Sequence, residues 1–407
     1  MNIGASGSGI SNRIVLLLAL AVFINYVDRG SLATASPLLK DDLNLSNAQM
    51  GILFSAFFWS YAPLQPLAGW IAQRYDARYV LAVGLALWSL ATALTGLATS
   101  FAMILGLRIL LGIGESVTYP CNAKLLAQSA AAHQRGRANG FIAVGQALGP
   151  TMGTLVGGVL LTQFGWRATF VFFGLLSLLW LLPWWSATRD QATTISPGKH
   201  EAVSYRQLLR EPALWGTGIG HFCGNYAYYF MLTWLPLLLV KTYGFSLTQM
   251  AVIGAAVYGL HALTAALAGW YGDRRIAAGF DQHLIWKPMI IIGMVGVAIP
   301  MAACATAGAT LVVAMLLVAG VFFGLQSPSL GSITQTLAGP RAAGRWMGIQ
   351  NFIANIAGVL APLITGLVVE TTGEFYWAFA IAAAVTLGGA FAFGLMIRRV
   401  APLPWAA

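Results

Sequence analysis

FINYVDRGSL, residues 23–32, sets an aspartate beside an arginine inside an otherwise apolar run reaching from 14 to 37. About 20 apolar residues in helical form cross the roughly 30 Å hydrocarbon layer of a bilayer. The reading of the fold turns on whether this run is such a crossing, and the composition answers it. Of 407 residues 58% are hydrophobic and 8% charged, against roughly a quarter charged in ordinary soluble domains. Eleven further runs follow, at 50–73, 79–98, 101–124, 138–163, 167–186, 213–240, 249–271, 286–306, 309–335, 344–369 and 375–397. None alternates apolar with polar residues as barrel strands facing lipid do. The expectation is an all-α, multi-pass membrane protein with twelve transmembrane helices.

Arg13 before the first run and Ala33-Thr34-Ala35 near its end imitate a cleaved signal peptide. The run is too long for one and contains Asp28 and Arg29, so it reads as the first span. Of the 22 Lys and Arg residues, seventeen fall in the loops on the side of the N-terminus, and Lys40, Arg167 and Lys241 in the loops opposite. Positive residues stay cytoplasmic, which puts both termini inside, and the net charge of +10 then reflects topology, with no need of a nucleic-acid partner. Residues 187–212 are long and polar enough to be a cytoplasmic linker between six-helix bundles at 1–186 and 213–407. The halves echo one another: Gly69-Trp70 ends the second span and Gly269-Trp270 the eighth, each before a basic loop. Such duplication marks transporters that rock two bundles about a site at the membrane midplane.

Four charges remain at membrane depth: Asp28, Arg29, Arg108 and Glu115. Each costs about 2.5–3.5 kcal/mol at a helix centre on insertion scales, which calls for pairing, water or a use. Arg108 and Glu115 are seven residues apart and share a face of the fourth span. Asp28 and Arg29, being adjacent, point about 100° apart and must find partners elsewhere, the fourth span being the candidate. Two guanidiniums suit a carboxylate ligand, to which each donates a bidentate fork. Two carboxylates in a desolvated site suit the uptake and release of protons. The alternative is a static set of ion pairs fixing one helix on another.

Tyr26-Val27-Asp28-Arg29, GLRILLGIGESVTYPCNAKLLAQ at 106–128, HQRGRANGF at 133–141 and NYAYYFMLTWLPLLL at 225–239 together resemble the anion:cation symporter family of the major facilitator superfamily. That family includes bacterial hexuronate, galactonate and glucarate permeases and animal vesicular glutamate and lysosomal sialic acid carriers. The resemblance covers nearly the whole chain. It implies that Arg29 and Arg108 face an anionic substrate while Asp28 and Glu115 couple it to protons. It also places Tyr26, Tyr61, Gln146 and Asn351 at the substrate, with Asn355 one turn on; Asn225 and Tyr229 are added for their polarity within the seventh span. Packing or an interhelical hydrogen bond is the competing reading of these polar and aromatic residues.

Two departures stand out. GWIAQRYDARY has Gln73 where the superfamily usually has an aspartate, so the charge relay of that loop is weakened, while Asp273 in GWYGDRR keeps its counterpart. GQALGPTMGTLVGG, 145–158, approaches a glycine-proline pattern often associated with antiporters, although its glycines also permit close helix packing. His221 and His261 read as hydrogen-bonded core residues, with a proton path as the alternative. Trp166 and Trp377 read as interface anchors, and Cys121, Cys223 and Cys304 as packing residues at no metal-ligand spacing. Walker A and HExxH motifs are absent. The expected function is therefore not enzymatic. It is proton-coupled symport of an organic anion, a sugar acid such as a hexuronate or aldonate, by a monomer in the bacterial inner membrane, with no cofactor or metal. Anion exchange without net proton flux, and a transporter-like anion sensor, are the alternatives.

Overall fold

The computed structural model describes residues 10–45, 47–189, 203–306 and 308–405. Its helices are α1 (Asn12–Asp42), α2 (Asn47–Arg74), α3 (Ala77–Thr95), α4 (Phe101–Glu115), α5 (Thr118–Ser129), α6 (Ala132–Leu178), α7 (Leu181–Thr188), α8 (Tyr205–Leu209), α9 (Pro212–Leu237), α10 (Leu247–Ala277), α11 (Gln282–Cys304), α12 (Ala309–Thr372) and α13 (Tyr376–Phe391). The described residues contain no strand. Nine stretches among them are long and apolar enough to cross a membrane. The runs at 50–73 and 213–240 are helical too, as α2 and α9, but are not among the nine. Of the expected linker, residues 190–202 lie outside the described residues.

Helix starts follow local chemistry. Asp76, Ser100, Ser246 and Asp281 each accept a backbone N–H from the first turn of α3, α4, α10 and α11, satisfying donors that have no partner within the helix. Burial acts to raise the Asp76 carboxyl, and hydrogen bonds from Arg78 outweigh it, holding the group below the usual carboxylate range.

The single helix expected over 101–124 is broken: α4 ends at Glu115 and α5 begins at Thr118. Pro120 has no N–H to donate back to Ser116, and the Ser116 hydroxyl turns instead to the Ile113 carbonyl at 2.7 Å. Glu115 is thereby set at a helix end. Two longer helices are divided by glycines, Gly165 in α6 (φ 76°, ψ 172°) and Gly339 in α12 (φ 59°, ψ −179°), in a conformation that is essentially open to glycine alone.

α1 packs along α6, α3 on α4 and α6, and α2 on α4; later in the chain α9 and α11 pack on α12 and α13, and α10 on α12. The earlier and later helices meet where α6 touches α10 and where α2 and α5 touch α12. Large apolar side chains such as Val83, Leu182 and Leu395 are exposed on the outside, as a lipid-facing surface requires. Trp377 is likewise exposed, whereas Trp166 is buried and donates its indole N–H to Asp42 at 3.2 Å, a packed residue where an interface anchor was expected. The three cysteines are buried and free.

One end of the α2–α12 and α6–α10 contacts is closed by glycines and polar bridges. Gln73 donates to the Pro340 carbonyl at 3.0 Å and accepts from the Gly344 N–H at 3.1 Å. Asp273 accepts from the backbone N–H groups of Gly136 and Arg137 at 2.8 and 2.6 Å. The weakening expected from Gln73 is thus a loss of charge only; the neutral amide bridges the same two helices from both of its ends. A methyl group at Gly69 would lie 3.2 Å from the Arg345 Cα and 3.1 Å from the Gly348 Cα, and backbone cannot move aside as a flexible side chain does. Gly69→Ala is therefore expected to destabilise this closed end by about 1–3 kcal/mol, read as a melting temperature lower by several degrees in detergent. An unchanged melting temperature would show that α2 and α12 separate here without cost.

Candidate functional site

Between α1, α2, α5 and α6 on one side and α9, α10, α11 and α12 on the other lies a cavity, between helices as small-molecule sites of helical bundles are. Tyr26, Tyr61, Gln146, Asn225, Tyr229, Asn351 and Asn355, all singled out in the sequence, line it. No Asp, Glu, Lys or Arg is among its lining residues. Its wall sets aromatic rings, amides, hydroxyls and two imidazoles among apolar side chains such as Ile142, Ile290, Met294, Leu330 and Met347.

These groups are tied to one another across helices. The Tyr229 hydroxyl donates to Asn355 Oδ1 at 2.9 Å, the Tyr119 hydroxyl to Gln146 Oε1 at 3.2 Å, and Asn351 Nδ2 to Gln65 Oε1 at 3.4 Å. Asn139 and Gln335 exchange two amide hydrogen bonds, each 3.0 Å, between α6 and α12. His261, which is buried, lies 3.0 Å from the Ser327 hydroxyl, and the half-buried His221 3.4 Å from the Gln350 amide; both face the cavity. Sequence reasoning passed over Tyr119, Asn139, Tyr228, Gln326 and Gln335. The signal was present, since each is a polar group inside an expected span, and the subtraction that found four charges, applied to amides and hydroxyls, would have found these as well.

The four charges stand behind this wall. Arg29 donates from Nε to Glu115 Oε2 at 2.9 Å, joining α1 to the end of α4, and the Glu115 side chain is fully buried. The Arg29 guanidinium also lies 4.7, 4.6 and 4.5 Å from the ring centres of Tyr26, Phe57 and Tyr61, the range in which a cation is attracted to a π face. Tyr26 and Tyr61 line the cavity, so two rings separate Arg29 from it. Arg108 is buried and lies 5.5 Å from the Phe57 ring centre. Asp28 is also buried, and Thr92 of α3 stands beside it. Of the two pairs that α1 and α4 could form, the structure makes Arg29–Glu115, while Asp28 and Arg108 are not joined by an ion pair.

The glycines of 145–158 explain how α1 is held. A methyl at Gly149 would lie 2.8 Å from the Phe23 carbonyl oxygen, and one at Gly153 3.1 Å from that of Val27. The face of α6 that carries Gln146 is pressed against the turn of α1 that carries Tyr26, Asp28 and Arg29, and only glycine allows this approach. Among the described residues no group of three or more His, Cys, Asp or Glu is placed to hold a metal ion.

A cavity with no charged side chain among its lining residues, set between two groups of helices and with Arg29 and Glu115 behind it, has the form of a small-molecule site. Comparison with known proteins agrees. The chain is 30% identical to the hexuronate transporter of Bacillus subtilis (strain 168), over 96% of this chain and 94% of that protein. It is 27% identical to the D-galactonate transporter of Escherichia coli O6:H1, over 95% of each. A solved proton:xylose symporter matches the fold with a TM-score of 0.78 at 17% identity, over 93% of this chain and 94% of that one. The family model for the Major Facilitator Superfamily matches residues 18–286 and 285–407. All-helical, with its cavity between two sets of packed helices and its sequence covered almost end to end, the chain belongs to the Major Facilitator Superfamily and is a transporter, not an enzyme.

Proposed function

We propose that this transporter carries an organic anion, a sugar acid of the hexuronate or aldonate type, together with protons and by alternating access. The observation that carries the reading is the buried Arg29–Glu115 pair behind a cavity wall of rings and amides. Amides and hydroxyls suit the many hydroxyls of a sugar acid; a guanidinium suits its carboxylate. Proton uptake by Glu115 loosens its hold on Arg29, which frees that guanidinium for the substrate, and substrate departure returns Arg29 to the carboxylate; Asp28, which stands near Glu115 and Arg108 without an ion pair to either, is the second proton acceptor. The relatives named for hexuronate and galactonate support the substrate class.

The proposed topology has twelve crossings, since Gly165 and Gly339 divide α6 and α12 into two legs each. Bundles at 1–186 and 213–407, joined by the linker at 187–212, have both termini in the cytoplasm of a bacterial cell, and the protein acts as a monomer in the inner membrane with no cofactor besides the proton. Exchange of one anion for another is the second reading, favoured by the glycine-proline stretch 145–158; its close contact with α1 gives those glycines a packing role in either case.

A thermal-shift screen of the purified protein against hexuronates, aldonates, dicarboxylates and aromatic acids selects the substrate class. Uptake of the selected acid into vesicles is expected to accelerate when the outside is acidified, and a substrate pulse to raise the external pH. Uptake indifferent to a pH gradient but stimulated by preloaded anion would replace symport by exchange.

A further inference from the structure

Tyr229 of α9 stands where the two groups of helices face one another. Its ring meets Phe58 of α2 edge-on, with centroids 5.8 Å apart. Both rings press on α12 at Gly358, where an added methyl would lie 2.9 Å from Phe58 Cε1 and 3.2 Å from Tyr229 Cε2. The buried Tyr229 hydroxyl has two neighbours. It donates to Asn355 Oδ1 of α12 at 2.9 Å, and it meets the Arg29 guanidinium of α1 in a hydrogen bond. The direction of the first bond settles that of the second. Asn355 Nδ2 is committed to the Asn351 carbonyl at 2.8 Å, so the atom it turns to Tyr229 is an oxygen, which only accepts. A phenol has one proton; with it given to Asn355, the Tyr229 oxygen offers the guanidinium lone pairs alone. The donor series therefore runs one way, from Arg29 to Tyr229 to Asn355 to the Asn351 carbonyl. Tyr229 lines the cavity whereas Arg29 does not, so a cavity residue already occupies an N–H of the arginine in the manner of a ligand oxygen.

We propose that the Tyr229 hydroxyl is a placeholder for the substrate carboxylate: before substrate binds it takes an Arg29 N–H that the anion takes on arrival. The proposal deepens, and rests on, the reading of Arg29 as the group that meets the carboxylate. A carboxylate brings a full negative charge and two oxygens to a fork that a phenol meets with one neutral oxygen, so the anion displaces Tyr229. The displaced hydroxyl keeps its bond to Asn355. Tyr229 is in this sense a positioning residue, which acts through Arg29 by holding the guanidinium ready and by giving way. Because Arg29 and Tyr229 belong to different groups of helices, arrival of the anion also exchanges a direct link between the groups for one through the substrate.

Tyr229→Phe removes the hydroxyl and keeps the ring against Phe58, while Glu115 and Tyr61 still hold the arginine. The hexuronate or aldonate that stabilises the wild-type protein is expected to bind this variant about five- to tenfold more tightly, since one competing hydrogen bond is gone. A hydroxyl that touches the substrate directly predicts the opposite sign, so unchanged or weaker binding overturns the placeholder. Because the effect passes through Arg29, the two substitutions are expected to be non-additive: in an Arg29→Lys background Tyr229→Phe should change affinity by less than about twofold. A gain as large in that background shows a roomier cavity and also overturns the placeholder. Should the phenylalanine protein fail to fold, Tyr229→Leu, which likewise lacks the hydroxyl, is read in the same way. A wild-type protein that binds no sugar acid, or an Arg29→Lys protein of normal affinity, would instead refute the reading of Arg29 on which the proposal rests. Weaker binding by Tyr229→Phe beside lost affinity in Arg29→Lys refutes the placeholder alone.

Discussion

Arg29→Lys is expected to weaken binding of the anionic substrate by about 100-fold or more, near 2.7 kcal/mol, with the helical content and melting temperature close to those of the wild type. The guanidinium at this position does three things together. It donates from Nε to Glu115 at 2.9 Å, it lies against three aromatic rings, and it keeps further N–H donors for a ligand. A lysine ammonium preserves the charge but is compact and strongly hydrated, and it lacks the planar fork that meets a carboxylate with two parallel bonds. Truncating one partner of a buried, hydrogen-bonded charge pair costs about 2–5 kcal/mol, so the loss expected here is large enough to measure by calorimetry with the sugar acid selected in the screen. Near-normal affinity in the lysine variant would show that Arg29 serves α1–α4 packing only, and would move the carboxylate contact to Arg108 or to the amides of the wall.

The run from 14 to 37 and its successors were legible because a bilayer imposes one rule on every span, a length of apolar residues, which composition reports directly. The four charges inside the apolar runs were legible for the same reason, as residues that lipid does not tolerate without a use. Pairing was legible only in part. Spacing alone said that Asp28 and Arg29 diverge and that Arg108 and Glu115 share a face. The choice of Arg29 for Glu115 is a contact between α1 and the end of α4, which spacing within either helix does not specify. The cavity wall was harder to read. A polar residue in an apolar span faces a neighbour, but period alone does not say which neighbour, so the meeting of Asn139 with Gln335, 196 residues apart, could not be foreseen. Gln73 illustrates the same limit. As a departure from the superfamily's aspartate it read as a weakened relay, whereas its amide, able to donate and accept at once, spans Pro340 and Gly344.

Glu115→Gln is expected to separate binding from coupling. Glutamine matches the protonated acid in size and offers an N–H donor and a C=O acceptor, but it neither takes nor releases a proton. If Arg29 is freed for the anion when Glu115 is protonated, the glutamine variant holds that arginine in its freed state permanently. It should therefore bind the anion at least as well as the wild type and exchange labelled for unlabelled substrate across the membrane. It should not accumulate substrate when the outside is acidified, because no proton now accompanies the cycle. A purely structural ion pair would behave otherwise. Removing the carboxylate from a fully buried position would leave the arginine charge uncompensated, at a cost of about 3–5 kcal/mol, and binding, exchange and accumulation would fall together with the melting temperature. The two accounts thus differ in sign for exchange, which is measured on the same purified, folded protein as pH-driven accumulation. Accumulation that survives in Glu115→Gln would pass the coupling role to Asp28, the other buried carboxylate of the four charges.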